Sequence, residues 1–193
     1  MRKYLEYGGV IAGAVLIVFG IVSIAMSFNG RNEVHDRLAE QKIVATPDAG
    51  EIPGVSLKAG EPIDTGAEAK QFAKIMEFHA LESTGGKRYA EMGRYLTPSG
   101  EDTDEVAAAA KDPKSGRPVE NGQRNLWVTQ TALATALNMS FMAEQLALFG
   151  IVVGFALLLA GVGFVILALG GALKRVSAES TEAAKIGGVV PTA

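Results

Sequence analysis

The sequence predicts an all-α membrane protein, an antiparallel two-helix transmembrane hairpin with a helical extracytoplasmic domain inserted between the spans. Gly8 to Phe28 and Leu146 to Leu173 are apolar runs without a single ionisable residue. Each reaches the roughly 20 residues that a helix needs to cross a hydrocarbon core about 30 Å thick. Residues 29–145 between them are polar, with 13 Lys or Arg against 18 Asp or Glu, a net charge of −5. Outside the two runs strand signals are poor and no repeat is evident.

The flanks set the expected orientation. Residues 1–7 carry Arg2 and Lys3 against Glu6, and Lys174 and Arg175 directly follow the second run. Basic flanks favour the cytoplasmic side, while a domain as long as 29–145 crosses largely regardless of its charge. The expected layout is therefore a cytoplasmic N-terminus (1–7), a first span (8–28), an extracytoplasmic domain (29–145), a second span (146–173) and a disordered cytoplasmic tail (174–193) rich in Ser, Glu, Ala and Gly, all in a plasma membrane. A cleaved signal peptide competes for the first run, with Ala25-Met26-Ser27 as its cleavage site. An h-region is usually 7–15 residues, which favours an uncleaved anchor here. Cysteine is absent, so an exported domain must stand on packing without disulfides. The pI near 5.5 argues against nucleic acid as a partner.

Small residues recur along both spans. Gly9, Gly13, Gly20 and Ser27 share one helical face of the first, and Gly150, Gly154, Gly161, Ala168 and Ala172 one face of the second. Small residues let backbones approach closely where lipid supplies no hydrophobic drive. Pairing Gly20 with Gly161, Ser27 with Gly154, Gly13 with Ala168 and Gly9 with Ala172 gives residue numbers summing to 181 each time, as facing positions of an antiparallel seam would.

Between the spans, Glu33 to Lys42 reads as a helical extension of the first, with Val34 and Leu38 on one face. Thr46-Pro47 and Ile52-Pro53-Gly54 predict an irregular connector over 45–64. Thr65-Gly-Ala-Glu68 predicts a capping box opening a helix whose apolar stripe is Phe72, Met76, His79 and Ala80, ended by Gly85-Gly86. Tyr89, Met92 and Leu96 predict a second short helix. Asp102 to Lys111 predicts a third, with acids at its start and Lys at its end. From Gln123 to Phe149 neither Gly nor Pro occurs, so the second span is expected to start far outside the apolar run, in one helix of about 50 residues and about 75 Å. Trp127 belongs to the domain core on this reading.

Chemistry is sparse. His35 and His79 lack the spacing that places two imidazoles on one helix face, and the acids Glu101, Asp102, Asp104 and Glu105 lack the glycine and terminal glutamate of a calcium loop. No catalytic residue, cofactor or metal site is expected. Spans without an intramembrane charge also argue against a lone transporter.

The opening Met1-Arg-Lys-Tyr-Leu-Glu-Tyr-Gly-Gly-Val, Ile63-Asp-Thr-Gly66, His79-Ala-Leu-Glu82, Met92-Gly-Arg-Tyr95 and Ala132-Leu-Ala-Thr-Ala-Leu-Asn-Met-Ser140 together resemble a family of uncharacterised two-span actinobacterial membrane proteins. The resemblance covers residues 1–173 and implies the same layout, with no functional residue to carry over. Some members bear the label aromatic ring-opening dioxygenase. A non-haem iron site wants two His and a carboxylate, and the two His here lie on separate predicted helices.

The expected function is non-enzymatic: an accessory or scaffolding subunit of a larger membrane complex, respiratory or cell-envelope, with membrane lipid and a membrane-protein partner or a homo-oligomer as its contacts. The alternative is an extracytoplasmic sensor or small-ligand or lipid-binding module, with a pocket lined by Phe72, Met76, Tyr89, Tyr95 and Trp127.

Overall fold

A computed structural model describes residues 2–170, with side chains from residue 7 onward. Three α-helices dominate: α1 (Arg2–Glu40), α2 (Gly66–Ser83) and α3 (Gly122–Leu169). Two two-residue strands, β1 (Tyr95–Leu96) and β2 (Asp102–Thr103), pair antiparallel, with Tyr95 opposite Thr103 and Leu96 opposite Asp102. The chain divides into two compact units, one from residues up to 31 and from 146 onward, the other from residues 32–145.

The first unit is a pair of antiparallel helical segments from α1 and α3. Its two apolar stretches are long enough to cross a membrane, and only 11% of one and 17% of the other is buried. A core helix of a water-soluble domain would be mostly covered. What is buried is the row of small residues: Gly13, Gly20, Gly154, Gly161 and Ala168. A β-carbon at Gly13 would lie 2.7 Å from the Gly161 carbonyl oxygen, and one at Gly20 2.7 Å from that of Gly154. The backbones thus touch where no side chain intervenes. Ser23 Oγ donates to the Gly150 carbonyl at 2.9 Å, and Ser27 lies against Gly150.

This register differs from the expected one by about a helical turn. Gly9 meets Ala168 and Ser27 meets Gly150, pairs that sum to 177 rather than 181; Gly20 faces Gly154 and Leu158, and Gly13 faces Gly161 and Val165. A slide of one turn keeps the same faces together, so a row of small residues specifies the face without specifying the offset. Ala172 and the tail 174–193 lie outside the described residues.

The second unit is built around α2. Beyond Glu40 the chain leaves α1 through Lys42, which takes the left-handed conformation (φ 51°). The connector then closes on itself: Ala45 donates to Glu61 and Ile63 to Ile43, with a bridge between Val44 and Pro62. It is irregular, as its prolines demand, yet it delivers Ala45, Ala49, Ile52, Leu57 and Ile63 to a core shared with Leu38 of α1, Ala69, Ala73 and Ile75 of α2 and Leu137 of α3.

Both arms of the capping box are in place at Thr65: its hydroxyl accepts from the Glu68 amide, and Glu68 Oε2 accepts from the Thr65 amide. The last turn of α2 closes with Gly86 donating to the Leu81 carbonyl at 2.7 Å, both glycines being left-handed.

The two short helices expected over 89–111 are replaced by a single turn at Tyr89–Glu91 and the β1–β2 ribbon. Leu96 further exchanges bonds with Val119 and Ala110. The alanines 107–110 favour helix, but so short a run gains too few bonds to offset nucleation. Gly93 meanwhile lies against the Thr103 backbone with room for no side chain, so the long-range pairing prevails. α3 then runs unbroken for 48 residues, close to the single long helix expected. Its start is capped by Asn121, whose Oδ1 accepts from the Gln123 amide at 3.0 Å.

Candidate functional site

Sites in residues 32–145 depend on where α2 lies between the end of α1 and the first half of α3. At its N-terminus, Gly66 is pressed on α3. A β-carbon there would fall 2.7 Å from Phe141 Cα and 2.7 Å from Glu144 Oε2. That closeness lets the Gly66 amide donate to Glu144 Oε2 at 2.9 Å. The other carboxylate oxygen accepts from His35 Nε2 at 3.2 Å, with the Glu144 side chain only 9% exposed. One buried carboxylate therefore ties α1, the first amide of α2 and α3. It satisfies an amide that the helix cannot satisfy itself and places negative charge at the positive end of α2.

Open grooves lie in the same residues. One, about 470 Å³, is apolar and lined by Leu38, Ile43, Phe72, Met76, Leu133 and Leu137, among others. A second of about 320 Å³ shares Met76 and Leu133 and adds His79 and Ser83. A polar cleft of about 290 Å³ lies among Tyr89, Arg94, Tyr95, Glu120 and Arg124. Arg124 stacks over the Tyr89 ring at 4.1 Å and donates to the Met92 carbonyl.

The five residues expected to line one ligand pocket are thus divided among three environments. Phe72 and Met76 edge the apolar groove, and Tyr89 and Tyr95 the polar cleft. Trp127 is core: it packs with Ala80 and Met92, and its indole donates to the Lys87 carbonyl at 2.9 Å. Residues 87–96 form loop and ribbon rather than a helix, and this separates the tyrosines from the α2 stripe.

The histidines are paired with carboxylates remote in sequence. His79 Nε2 lies 2.7 Å from Asp48 Oδ2, and this bond is the largest influence holding the Asp48 carboxyl below its usual value, with Thr46 adding to it. Ser83 lines the same groove as His79, but no hydroxyl bonds the other ring nitrogen among the described residues. The arrangement therefore lacks the nucleophile–base contact of a triad. No group of three His, Asp or Glu side chains gathers as metal ligands among the described residues.

The acids at 101–105 fix the ribbon instead of capping a helix. Asp102 accepts from the Gly93 amide at 2.8 Å and from Lys87 Nζ at 3.0 Å, which together lower its pKa, the amide most. Asp112 is lowered likewise by the Ser115 amide and hydroxyl and the Lys114 amide.

Glu144 was not singled out from the sequence, though a signal exists: it is the lone ionisable residue between Arg124 and Lys174. Asp48, Lys70 and Arg124 carry no such signal, because charged residues are common around them. No protein-family model matches the chain, and no curated protein or solved structure does so.

Proposed function

We propose that this chain is an integral membrane protein in which α1 and α3 cross a bilayer, both termini are cytoplasmic and residues 32–145 face the opposite side. On this reading it serves as an accessory or scaffolding subunit that docks against a larger membrane-protein complex. The observation that carries the docking role is the open apolar groove of residues 32–145, edged by Phe72, Met76 and Leu133, beside a core already filled by Ile63, Ile75 and their neighbours. A small-ligand sensor would instead want an enclosed cavity with convergent polar groups. The aromatic residues that such a cavity would use are dispersed. Support for the bilayer comes from two long apolar helices that bury little of their surface, and for the orientation from Arg2, Lys3, Lys174 and Arg175.

The lipid- or ligand-binding alternative retains one specific support, the polar cleft with its two tyrosines and two arginines. Mild extraction of the tagged protein from its own membrane, followed by native mass spectrometry, decides between them. Stoichiometric recovery of one membrane complex is the expected result. Recovery as a monomer carrying a polar solute, lost on Arg124→Ala, would replace the docking reading with the sensor.

A further inference from the structure

A further open groove in residues 32–145, about 460 Å³, is lined by Lys70 of α2 and by Thr135, Asn138, Met139, Phe141, Met142 and Gln145 of α3. Its chemistry is graded. Met139 and Met142 are half-exposed apolar side chains. The Gln145 side chain makes no hydrogen bond among the described residues. The Lys70 ammonium lies 4.3 Å from the centre of the Phe141 ring and meets no carboxylate among the described residues. A lysine laid along an aromatic face with its charge uncompensated is poised for an anion.

Chain position says where that anion comes from. Gln145 immediately precedes Leu146, the first residue of the apolar run, within the unbroken helix α3. At 1.5 Å per residue, Met142 lies about 6 Å and Met139 about 10 Å along the helix from that boundary. The polar layer on each side of a hydrocarbon core is about 5–8 Å deep. If α3 crosses a bilayer, as proposed above, the Phe141–Gln145 end of this groove, where Lys70 lies, is at headgroup level.

We infer that the groove between Lys70 and the Thr135–Gln145 face of α3 binds the headgroup of an anionic phospholipid, its phosphate on Lys70 and Gln145. The net charge of −5 over residues 29–145 opposes any general attraction to an anionic surface, so selectivity must be local to this lysine.

The test is native mass spectrometry of the full chain released from nanodiscs of equimolar phosphatidylglycerol and phosphatidylcholine. The wild type should retain phosphatidylglycerol about five-fold more than Lys70→Gln, the effect expected of one basic residue at a membrane surface. Lys70→Arg should retain most of the preference, and Lys111→Gln, in a loop elsewhere, all of it. Equal retention by wild type and Lys70→Gln, or an equal loss in Lys111→Gln, overturns the inference while leaving the membrane reading intact. A protein that neither enters nanodiscs nor floats with vesicles overturns that reading and this inference together. A protein partner lost on Lys70→Gln, with lipid retention unchanged, would show that the groove has a different occupant.

Discussion

In the apolar helix pair the buried positions are glycines and Ala168, and at Gly13 and Gly20 neighbouring carbonyls stand where a side chain would be; in residues 32–145 the largest fully buried side chains include Ile63 and Ile75. One unit has its apolar side chains outside and its backbone inside, and the other reverses this. On the bilayer reading proposed above, the contrast follows from the solvent each unit meets. In water, burying an aliphatic side chain contributes ~1.5–3 kcal/mol. In hydrocarbon that term vanishes, and what remains is close contact between backbones and the bonds of residues such as Ser23. The helix pair should therefore be broken by adding mass, and the domain by removing it.

The largest effect is expected from Trp127→Ala, which empties the small core with Ala80 and Met92 and removes the indole bond to the Lys87 carbonyl. It should cost the domain about 4 kcal/mol in denaturant unfolding. Leu159→Ala on the exposed face of α3 should leave the stability in detergent or lipid within about 0.5 kcal/mol. Comparable losses from both would erase the distinction. Glu144→Ala leaves the Gly66 amide and His35 without their shared acceptor and should cost about 3 kcal/mol; hydrogen exchange at the first turn of α2 would show it. Gly20→Ile should destabilise the helix pair by about 2 kcal/mol while leaving the domain's unfolding transition unchanged.

The absence of native cysteine makes the register directly measurable. A Gly9→Cys/Ala168→Cys pair, with β-carbons about 3.1 Å apart, lies near disulfide geometry and should oxidise readily. Faster oxidation of Gly9→Cys with Ala172→Cys would restore the alternative register.

Thr65→Ala removes one arm of the capping box and should cost about 1 kcal/mol. The smallest effect concerns acid. Asp48, Asp102 and Asp112 have lowered pKa values, and Glu68 is lowered too because the Asp64 and Thr65 amides outweigh its burial. The stability these carboxylates contribute is complete above their unfolded values near 4 and is lost as pH falls through the lowered folded values. The domain should therefore weaken below about pH 4. In His79→Ala, the NMR titration of Asp48 should move up toward an ordinary carboxylate.

The two regions also differ in how readily the sequence discloses them. The long helices, the Thr65 cap and the Gly85-Gly86 stop are local signals, each complete within a few residues, and each is found where the pattern places it. The ribbon at 95–103 is invisible locally because it rests on Gly93 meeting Thr103 and on Leu96 meeting Val119, contacts that no window of neighbouring residues contains. The helix seam lies between these cases. Composition marks its face, but sliding one turn exchanges one small partner for another, so the offset depends on how Ile17, Ile24 and Leu158 fit around the glycines. The candidate site was legible only in pieces: Phe72 and Met76 lie on a helix whose period is readable, whereas Tyr89 and Tyr95 are positioned by the ribbon.

The Glu144 carboxylate has a consequence for the order in which the chain is made. Its partners precede it by 109 and 78 residues, and Trp127 and Leu137, which complete the two cores, also come from α3. A nascent chain that has exposed only residues 32–121 has α2 without the surface that covers it. Closure waits until residue 144 emerges, and the next residues out are the second apolar run. Domain folding and delivery of that run thus fall in the same interval of synthesis, and a pause just after residue 145 would separate them.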